Sequence, residues 1–456
     1  MSVRDTPAGV DIAELIDANR WSGFQKLILG LAALGFLTDG IANQTLGLAV
    51  PSLMLDWKLP REAFQSVTAI GLFGLTIGAA VGGRLGDRVG RRPMMIFSTL
   101  LFGVMTVAAS TVHDIGALFW VRAFDGLGIG AMIPNGAAMI SEFTPGRRRS
   151  LAIGLGMVFI AFGAVLAGSV AALILPAYGW RALFLVLGLV PVGLALLFAL
   201  VLPESPLYLS RRPGRRNHLQ KVMGRAGVQL DAAATVADRT PTGRSASWGQ
   251  VLFNRQVLPT TAALWIGFFF CLLASYAMFS WVPAMLASLG FPLSMTSMGI
   301  TYFSVGGVAG GVASGWLIQR FGVKSASLGL AAGGIAAALL LGGLIYGEAR
   351  NLTAVFAALV LEGFFISGLH NGLYTISAYI YPSFGRASGV GAAAAFGRIG
   401  AIASSYVGLF ALSLAGASGY FLLIALALTA SLISIALIHR PALLAGAPSA
   451  APAPAE

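Results

Sequence analysis

Long apolar runs separated by short polar connections fill most of the chain. A transmembrane helix needs about 20 predominantly apolar residues, and twelve such runs occur, six on each side of a polar stretch at 203–256. They lie near 25–53, 64–86, 93–112, 115–141, 150–175, 180–202, 257–287, 296–318, 324–346, 352–380, 387–412 and 417–438. The pattern predicts an all-α polytopic membrane protein with 12 transmembrane helices as two six-helix halves.

The same pattern divides the chain into five segments. Residues 1–23 are predicted to be a cytoplasmic N-terminal segment, 24–202 the first six-helix half and 203–256 a cytoplasmic central loop. Residues 257–440 are predicted to be the second six-helix half and 441–456 a disordered C-terminal tail. The central loop is too short and too biased in composition for a catalytic domain, so we expect the function to lie within the helices.

Acidic residues occupy the N-terminal segment, where a secretory signal would carry positive charge. Asp5, Asp11, Glu14 and Asp17 all lie in the segment 1–23, so the sequence does not predict a cleavable signal. The run Val10–Ala18 instead predicts a short surface helix.

Composition and charge agree with a membrane protein and orient it. Hydrophobic residues make up 57% of the chain and charged residues only 10%, whereas soluble domains carry about a quarter charged residues. With both termini in the cytoplasm, 23 of the 29 lysines and arginines lie on the cytoplasmic side, which is a strong positive-inside bias. The net charge of +12 then belongs to loops that face the headgroups of the inner membrane, and nucleic-acid binding is not indicated. The single cysteine, Cys271, excludes an intrachain disulfide.

Two pairs of similar segments indicate an internal repeat. Gly82–Pro93 follows the second span and resembles Ser314–Ser325 after the eighth, and we call the distance along the chain between these two segments the first offset. Arg149–Gly154 after the fourth span resembles Arg386–Gly391 after the tenth, and this slightly larger distance is the second offset. Both offsets are near half the chain length, so a six-span unit is duplicated. Duplicated transporter halves place the substrate site between them near the membrane midplane.

A set of ionisable side chains lies deep inside the predicted spans. It comprises Asp39 in the first span, Arg122 and Asp125 in the fourth, Glu362 and His370 in the tenth, and Arg398 in the eleventh. At about 1.5 Å per residue, all of them lie within roughly 10 Å of the midplane. Because intramembrane charges are rare and usually face a cavity or a partner, we expect them to line one polar chamber.

The two arginines in this set have different predicted roles. A guanidinium offers fixed, bidentate donors to a carboxylate, so Arg398 is the predicted anchor of an anionic substrate. The alternative is that Arg398 pairs permanently with an acid such as Glu362. Arg122 is predicted to have a structural partner, either Asp125 on the next turn of its own helix or Asp39.

The acids of the set are candidates for carrying a proton. A buried carboxylate is shifted upward in pKa by desolvation and downward by a nearby arginine, so it can change protonation during a transport cycle. Asp39 is the first candidate, and a static ion pair between the first and fourth spans is the alternative for it. Glu362, Asp125 and His370 are the other candidates for the proton, although a lone histidine in a span is often a packing residue.

Neutral side chains near the same depth could complete a binding site for an aromatic ring. His370 and Tyr374, one turn apart on the same helical face, are candidate substrate ligands, and Asn135 and Asn371 could add hydrogen bonds. Other aromatic residues could frame the ring or simply pack helices: Trp265, Phe268, Tyr276, Trp281, Tyr302 and Tyr379.

No pattern indicates an enzyme, a metal site or a cofactor. The run GLGIGA at Gly126–Ala131 approximates a dinucleotide fingerprint, but it lies within a span and follows no strand. Glycines at this spacing are typical of closely packed transmembrane helices.

The loop after the second span resembles the hallmark motif of the major facilitator superfamily. The matching residues are Gly83, Leu85, Asp87, Arg88, Gly90, Arg91 and Arg92. The resemblance implies a twelve-span fold, transport by alternating access, and a gating latch built from this loop. We expect Gly83 to permit close helix approach and Asp87 to accept hydrogen bonds from a helix N-terminus. Gln319 replaces the acid in the second copy, so the latch is expected to be asymmetric; the alternative is a purely topological basic loop.

Further segments resemble the aromatic acid:proton symporters within that superfamily. They are Asp39-Gly40, Pro134-Asn135, Ser141–Arg149 with Glu142, and Tyr381–Ala401 with Arg386 and Arg398. The resemblance implies an aromatic acid as substrate and a proton as the coupling ion, and it places Glu142 and Arg386 beside the gating residues. Ala42 stands where that family has a second acid in the first span, so more than one carrier of the proton stays open.

Together these patterns predict a functional monomer in the lipid bilayer that imports a small aromatic carboxylate of the benzoate or hydroxybenzoate type with a proton. A symporter for another small organic anion, aliphatic or nicotinate-like, is the alternative within transport, and efflux is a further one. A transport-inactive sensor or a membrane enzyme of the same fold is the alternative from another class.

Overall fold

The computed structural model describes residues 12–19, 21–228, 258–346, 351–381 and 386–438, and these residues form helices and short connections without a strand. The helices are α1 Ile12–Asp17, α2 Gly23–Trp57, α3 Gln65–Val89, α4 Arg91–Ala109, α5 Ile115–Phe143, α6 Gly146–Val201, α7 Pro206–Ser210, α8 Arg216–Arg225, α9 Leu258–Ser288, α10 Leu293–Phe321, α11 Val323–Tyr346, α12 Leu352–Ile380 and α13 Arg386–Ala436. Two short 3-10 helices, Arg61–Phe64 and Pro213–Arg215, complete the described elements.

The described helices account for the twelve predicted spans. Nine stretches among the described residues are long and apolar enough to cross a membrane. Two of them, in α6 and α13, contain a break, at Gly179 and at Ala415–Gly416, so each comprises two spans. The long helix α10 supplies the remaining span. Both breaks include a glycine with positive φ, a conformation that glycine adopts without steric cost.

The structure divides into two compact units. The first comprises Met1–Thr242 with Met278–Val308, and the second Gly243–Ala277 with Ala309–Glu456. The C-terminal part of α9 and the N-terminal part of α10, within residues 278–308, therefore belong to the first unit. Residues 229–256 of the predicted central loop 203–256, and the whole predicted tail 441–456, lie outside the described residues.

The predicted N-terminal helix exists as α1 and is docked on the first unit. Ile12 and Ile16 are buried in an apolar cluster with Leu209 and Leu219. The Asp17 carboxylate accepts a 2.6 Å hydrogen bond from the backbone N–H of Gly146, at the start of α6. We call this end of the first unit, where α4 and α6 begin, the basic end.

Glycines set the closest helix contacts in the first unit. A Cβ added at Gly163 of α6 would overlap the carbonyl oxygen of Leu37 in α2, and one at Gly78 of α3 would overlap that of Leu127 in α5. Gly126 of the GLGIGA run likewise lies against the backbone of α3. The predicted packing role of this run is confirmed.

The second unit repeats these contacts at the predicted offsets. Gly400 of α13 lies against the carbonyl of Phe269 in α9, and Gly310 of α10 against that of Phe364 in α12. Gly310 and Phe269 follow Gly78 and Leu37 by the first offset, whereas Gly400 and Phe364 follow Gly163 and Leu127 by the second. The first three helices of each half are therefore equivalent at the first offset, and the last three at the second.

Candidate functional site

Aromatic side chains of α9 and α12 form a cluster in the second unit. His370 and Tyr374, one turn apart on α12, have ring centroids 5.1 Å apart. Phe268 of α9 contacts both, at 5.1 Å from Tyr374 and 6.3 Å from His370. Phe268 is fully buried, but Tyr374 is 38% exposed. We call Phe268, His370 and Tyr374 the aromatic wall; it presents one polar edge through His370 and Tyr374.

The guanidinium of Arg398 lies close enough to the aromatic wall to act electrostatically on both His370 and Tyr374. Arg398 is partly buried on α13, two positions after Phe396, which stacks on Trp265 of α9 at 5.2 Å. The interactions of Arg398 with His370 and Tyr374 place a cation within electrostatic range of aromatic rings. Such an arrangement suits a planar anion, because the guanidinium binds the carboxylate while the rings contact the apolar body.

Asn371 lies next to His370 but points toward α10. Its amide nitrogen donates to the carbonyl of Gly311 at 3.2 Å and to the hydroxyl of Ser314 at 3.4 Å.

Glu362 lies two turns before His370 on α12 and is fully buried. Neither of its carboxylate oxygens has a hydrogen-bond partner among the described residues. The buried hydroxyl of Tyr420 on α13 also lacks a hydrogen bond there, and it lies within electrostatic range of Glu362.

In the first unit, Asp39 is buried on α2, at 1% exposure. Its neighbour Gly40 packs against the backbone of Ile160 in α6, which brings these two helices together. The equivalent of Asp39 in the second unit, at the first offset, is Cys271. Cys271 lies within electrostatic range of Tyr374, so Asp39 occupies the first-unit counterpart of a position near the aromatic wall.

Arg122 and Asp125 form a buried ion pair on α5. Thr106 of α4 donates a hydrogen bond to the other carboxylate oxygen of Asp125 at 3.4 Å. The prediction that Asp125 is a partner of Arg122 is confirmed. The pair ties α5 to α4 and neutralises both charges within the helix bundle.

Arg91 is the centre of a hydrogen-bonded network at the basic end. Its guanidinium forms an ion pair with Asp87 at 2.5 Å and a longer one with Glu142 at 3.5 Å. It also donates to the carbonyl of Gly83 at 3.2 Å and to the side-chain oxygen of Asn135 at 3.3 Å. Four of the predicted gating residues, Gly83, Asp87, Arg91 and Glu142, therefore meet at one place.

Asn135, a predicted substrate ligand, belongs to this network. It is fully buried, and its amide nitrogen donates to the carbonyls of Gly82 at 2.9 Å and Ala131 at 2.8 Å. Its side-chain oxygen accepts from Arg91, so both ends of the amide are occupied.

Glu204 is a member of the network that the sequence patterns did not identify. Its carboxylate accepts hydrogen bonds from the backbone N–H groups of Arg91 at 2.9 Å, Arg92 at 3.2 Å and Ser205 at 2.8 Å. The Ser205 hydroxyl in turn donates to Glu142. Glu204, rather than Asp87, caps the N-terminus of α4. A signal was present in the sequence, since an acid and a Ser-Pro pair directly follow the sixth apolar run.

The remaining gating predictions have mixed outcomes. The expectation of close helix approach at Gly83 is wrong, because a Cβ there would meet Pro134 only at an ordinary 3.6 Å; the close approaches are at Gly82 and Gly86. Arg88 is exposed, and its carbonyl accepts from Arg212 at 3.0 Å. The side chain of Arg386 lies outside the described part of the structure.

Comparisons with known proteins bear on the family and the fold of the chain. A sequence model described as the Major Facilitator Superfamily matches residues 32–302 and 264–455. The chain is 31% identical to a gallate transporter of Pseudomonas putida, over 89% of this chain and 90% of that protein. It is also 31% identical to the 4-hydroxybenzoate transporter PcaK of Pseudomonas aeruginosa, over 94% of this chain and 96% of that protein. Among solved structures, the xylose transporter XylE of E. coli in a partially occluded inward-open conformation matches 90% of this chain and 97% of its own, with a TM-score of 0.69 and 18% identity.

Proposed function

We propose, from the premise that the chain belongs to the major facilitator superfamily of membrane transporters, that it imports a small aromatic carboxylate together with a proton. Benzoate or a hydroxybenzoate is the proposed type of substrate, and alternating access in the inner membrane is the proposed mechanism. Both termini are proposed to lie in the cytoplasm, and the monomer is proposed to be the functional form.

The juxtaposition of Arg398 with the aromatic wall is the observation that carries this proposal. A carboxylate that leaves water needs charge-assisted donors, which a guanidinium supplies in a fixed geometry. The exposed ring of Tyr374, which packs on the buried Phe268, would contact the aryl group, and the polar groups of His370 and Tyr374 would bind a ring hydroxyl. Two relatives of the chain are a gallate and a 4-hydroxybenzoate transporter, which supports the same class of substrate.

A proton is the proposed coupling ion because it compensates the charge of a carboxylate during the crossing. Buried acids are the groups able to carry it. Three buried acids are the candidates. Asp39 lies at the first-unit counterpart of Cys271, Glu362 has no hydrogen-bond partner among the described residues, and Asp125 lies in its ion pair.

Uptake by purified protein in liposomes tests the proposal. Labelled 4-hydroxybenzoate, gallate and benzoate are supplied with and without an acid-outside gradient, and empty liposomes correct for diffusion of the neutral acids through lipid. We expect gradient-driven accumulation above the empty-liposome level. If no aromatic acid is transported while a short aliphatic acid is, the substrate class is wrong and the rival organic-anion symporter is favoured. Accumulation only under the opposite gradient would favour efflux.

Arg398 offers a more specific test. Arg398→Lys keeps the charge but loses the bidentate donors, so we expect KM for the carboxylate to rise by about tenfold or more, since a lost charge-assisted hydrogen bond is worth about 1.5–3 kcal/mol. Arg320→Lys, near the end of α10, is the matched control and should leave KM unchanged. Equal effects of the two changes would contradict a direct role of Arg398.

A further inference from the structure

The repeat places two buried acids at equivalent positions. Glu362 follows Asp125 by the second offset, which is the one that relates α12 to α5. Both side chains are buried within their own unit, at no more than 1% exposure. The two halves of the protein therefore each keep a carboxyl group at the same place inside the helix bundle.

The surroundings of the two acids differ in two specific ways. Leu359 stands where the first unit has Arg122, at the second offset, and Ala338 stands where it has Thr106, at the first offset. Both replacements are fully buried. The second unit has therefore lost the guanidinium and the hydroxyl that bind Asp125.

One polar group has been gained in return. Tyr420 stands where the first unit has Leu183, at the second offset, and its buried hydroxyl lies within electrostatic range of Glu362. Both the carboxylate oxygens and this hydroxyl lack hydrogen bonds among the described residues. Two polar groups from adjacent helices thus lie near each other without being bonded in this conformation.

The other charged groups on α12 and on the helices packed against it lie far from Glu362 along the helix axes. Lys324 lies at the start of α11, where it donates to carbonyls near the end of α13, and Arg320 lies near the end of α10. Arg398 acts on His370 and Tyr374, which follow Glu362 by about 12 and 18 Å along α12 at about 1.5 Å per residue.

An ionised carboxylate in such a place has no compensation. A buried charge without a partner takes up a proton rather than stay ionised, whereas a carboxylate in an ion pair can stay charged. Asp125 lies in such an ion pair, whereas the buried carboxylate of Glu362 has no hydrogen-bond partner among the described residues. Of these two equivalent acids, Glu362 is therefore the one placed to alternate between a neutral and an ionised form when its surroundings change.

We propose that Glu362 carries the transported proton and that the Tyr420 hydroxyl donates a hydrogen bond to it once the proton has left. In this conformation Glu362 holds the proton as a neutral carboxylic acid. When α12 and α13 shift, the acid releases the proton to the side that faces low proton concentration, and the carboxylate accepts the Tyr420 O–H. Asp125 stays in its pair with Arg122 throughout the cycle. This assignment rests on the proposed function and names the carrier among its three candidate acids.

The test separates accumulation from exchange. Proteoliposomes receive labelled 4-hydroxybenzoate with the membrane potential clamped at zero. Electroneutral one-to-one symport then accumulates substrate up to about 100-fold across about two pH units, because each pH unit corresponds to a tenfold ratio. Exchange of internal for external substrate is measured without a gradient and needs no release of the proton.

Three variants define the outcome. Glu362→Gln should lose accumulation down to the level of empty liposomes but retain exchange. Glu62→Gln, at the exposed acid of the 3-10 helix Arg61–Phe64, is the control and should retain both. Tyr420→Phe should move the pH dependence of uptake to higher pH, because the ionised carboxylate loses its donor and holds the proton longer.

Each contrary result has a distinct meaning. If wild-type protein transports no aromatic acid, the proposed function is overturned. If wild type accumulates substrate and Glu362→Gln does so equally, or Glu362→Gln loses exchange as well, only the assignment of the proton to Glu362 is overturned. An unchanged pH profile in Tyr420→Phe overturns the role of the hydroxyl.

Discussion

A single carboxylate organises the basic end of the first unit. Glu204 is 5% exposed and accepts three backbone N–H groups, two of them at the start of α4. The first N–H groups of a helix have no partner within the helix, and a negative charge there is favourable because of the helix dipole. Since the same carboxylate is linked through Ser205 to Glu142, the cap also positions an acid that binds Arg91.

Replacing Glu204 should measure how much this helix cap stabilises the folded protein. Glu204→Gln keeps the shape but removes the charge, and we expect a loss of about 1 kcal/mol of stability, typical of a lost helix cap. Thermal unfolding of the purified protein in detergent checks this. Glu62→Gln, at an exposed acid in the 3-10 helix Arg61–Phe64, is the control and should leave the melting temperature unchanged. Equal shifts in both variants would show that Glu204 acts only through the net charge.

The ion pair of Arg122 and Asp125 permits a second prediction. Removing one partner of a buried pair leaves an uncompensated charge and costs about 3–5 kcal/mol, so Arg122→Leu should be strongly destabilising. The double change Arg122→Leu with Asp125→Asn reproduces the apolar residue found at Leu359 and removes the charge, so most of the stability should return. Unfolding midpoints in detergent give both values. A double variant as unstable as the single one would mean that the pair has another role besides mutual neutralisation.

Some residue contacts could be predicted from sequence and others could not. The partner of Arg122 lies on the next turn of the same helix, so helical geometry alone indicated it. Glu204 caps a helix that begins far earlier in the chain, and Asn135 turns toward the network of Arg91 rather than toward a chamber. Such choices depend on tertiary packing, which one sequence does not reveal.

At the scale of helices, glycine contacts decide how closely the elements approach. Gly163 in the first unit and Gly400 in the second lie directly against carbonyl groups of α2 and α9. Helices in a membrane associate through close packing, because lipid chains are as apolar as the side chains. An added methyl group at these positions would therefore push two helices apart.

A matched pair of substitutions in each half tests this packing. Gly163→Ala should destabilise the protein, whereas Gly154→Ala on the same helix should be neutral or stabilising by up to about 1 kcal/mol, since alanine favours helix over glycine and no atom lies within 4 Å of the added Cβ. Gly400→Ala and Gly391→Ala form the equivalent pair on α13. Unfolding midpoints compare the four variants. Equal behaviour within either pair would contradict the packing argument.

Most of the spans were predictable because a span needs about 20 predominantly apolar residues, although α10 is not among the nine stretches that are apolar enough by themselves. The face that each helix turns toward the protein interior was harder to predict. Exposed Phe97 and Trp120 are as apolar as buried Phe102 and Phe143, so hydrophobic periodicity does not distinguish lipid-facing from buried positions. Charged and small residues were the better guides, as Asp125 and Gly163 show.

At the scale of the whole molecule, duplication supplied two copies of one framework and later substitutions made them different. The glycine contacts, the breaks at Gly179 and Gly416 and the positive-φ glycines Gly90 and Gly322 are common to both halves. Most of the intramembrane ionisable residues are not, since Asp39 is matched by Cys271 and Arg122 by Leu359, whereas the acid at Asp125 is kept as Glu362. The glycine contacts between helices are therefore shared by the two halves, whereas most intramembrane charges occur in only one half.

The segment 278–308 provides a way to test alternating access. At the end of the first unit opposite the basic end, Gly47 of α2 packs on the carbonyl of Phe279, with 2.8 Å between that oxygen and an added Cβ. Gly168 of α6 packs on the backbone of α10, where an added Cβ would lie 3.0 Å from the nitrogen of Thr301. The Arg61 guanidinium also donates to the carbonyl of Ala284 at 3.1 Å. Transport by alternating access requires these contacts to separate in the other conformation.

Gly168→Val should therefore shift the population toward the conformation in which this end is open. The branched side chain cannot fit against Thr301, and a conformation that loses its close contacts loses population in proportion to the energy lost. Spin labels at Tyr178→Cys and Leu289→Cys, both exposed at this end, report the separation in a Cys271→Ser background that removes the one native cysteine. Double electron–electron resonance should show a longer distance in Gly168→Val than in the same labelled protein with Gly168. Gly154→Val, a substitution of the same size at an open position of α6, is the control, and an equal lengthening there would mean that helix distortion, rather than release of the contact with α10, produces the change.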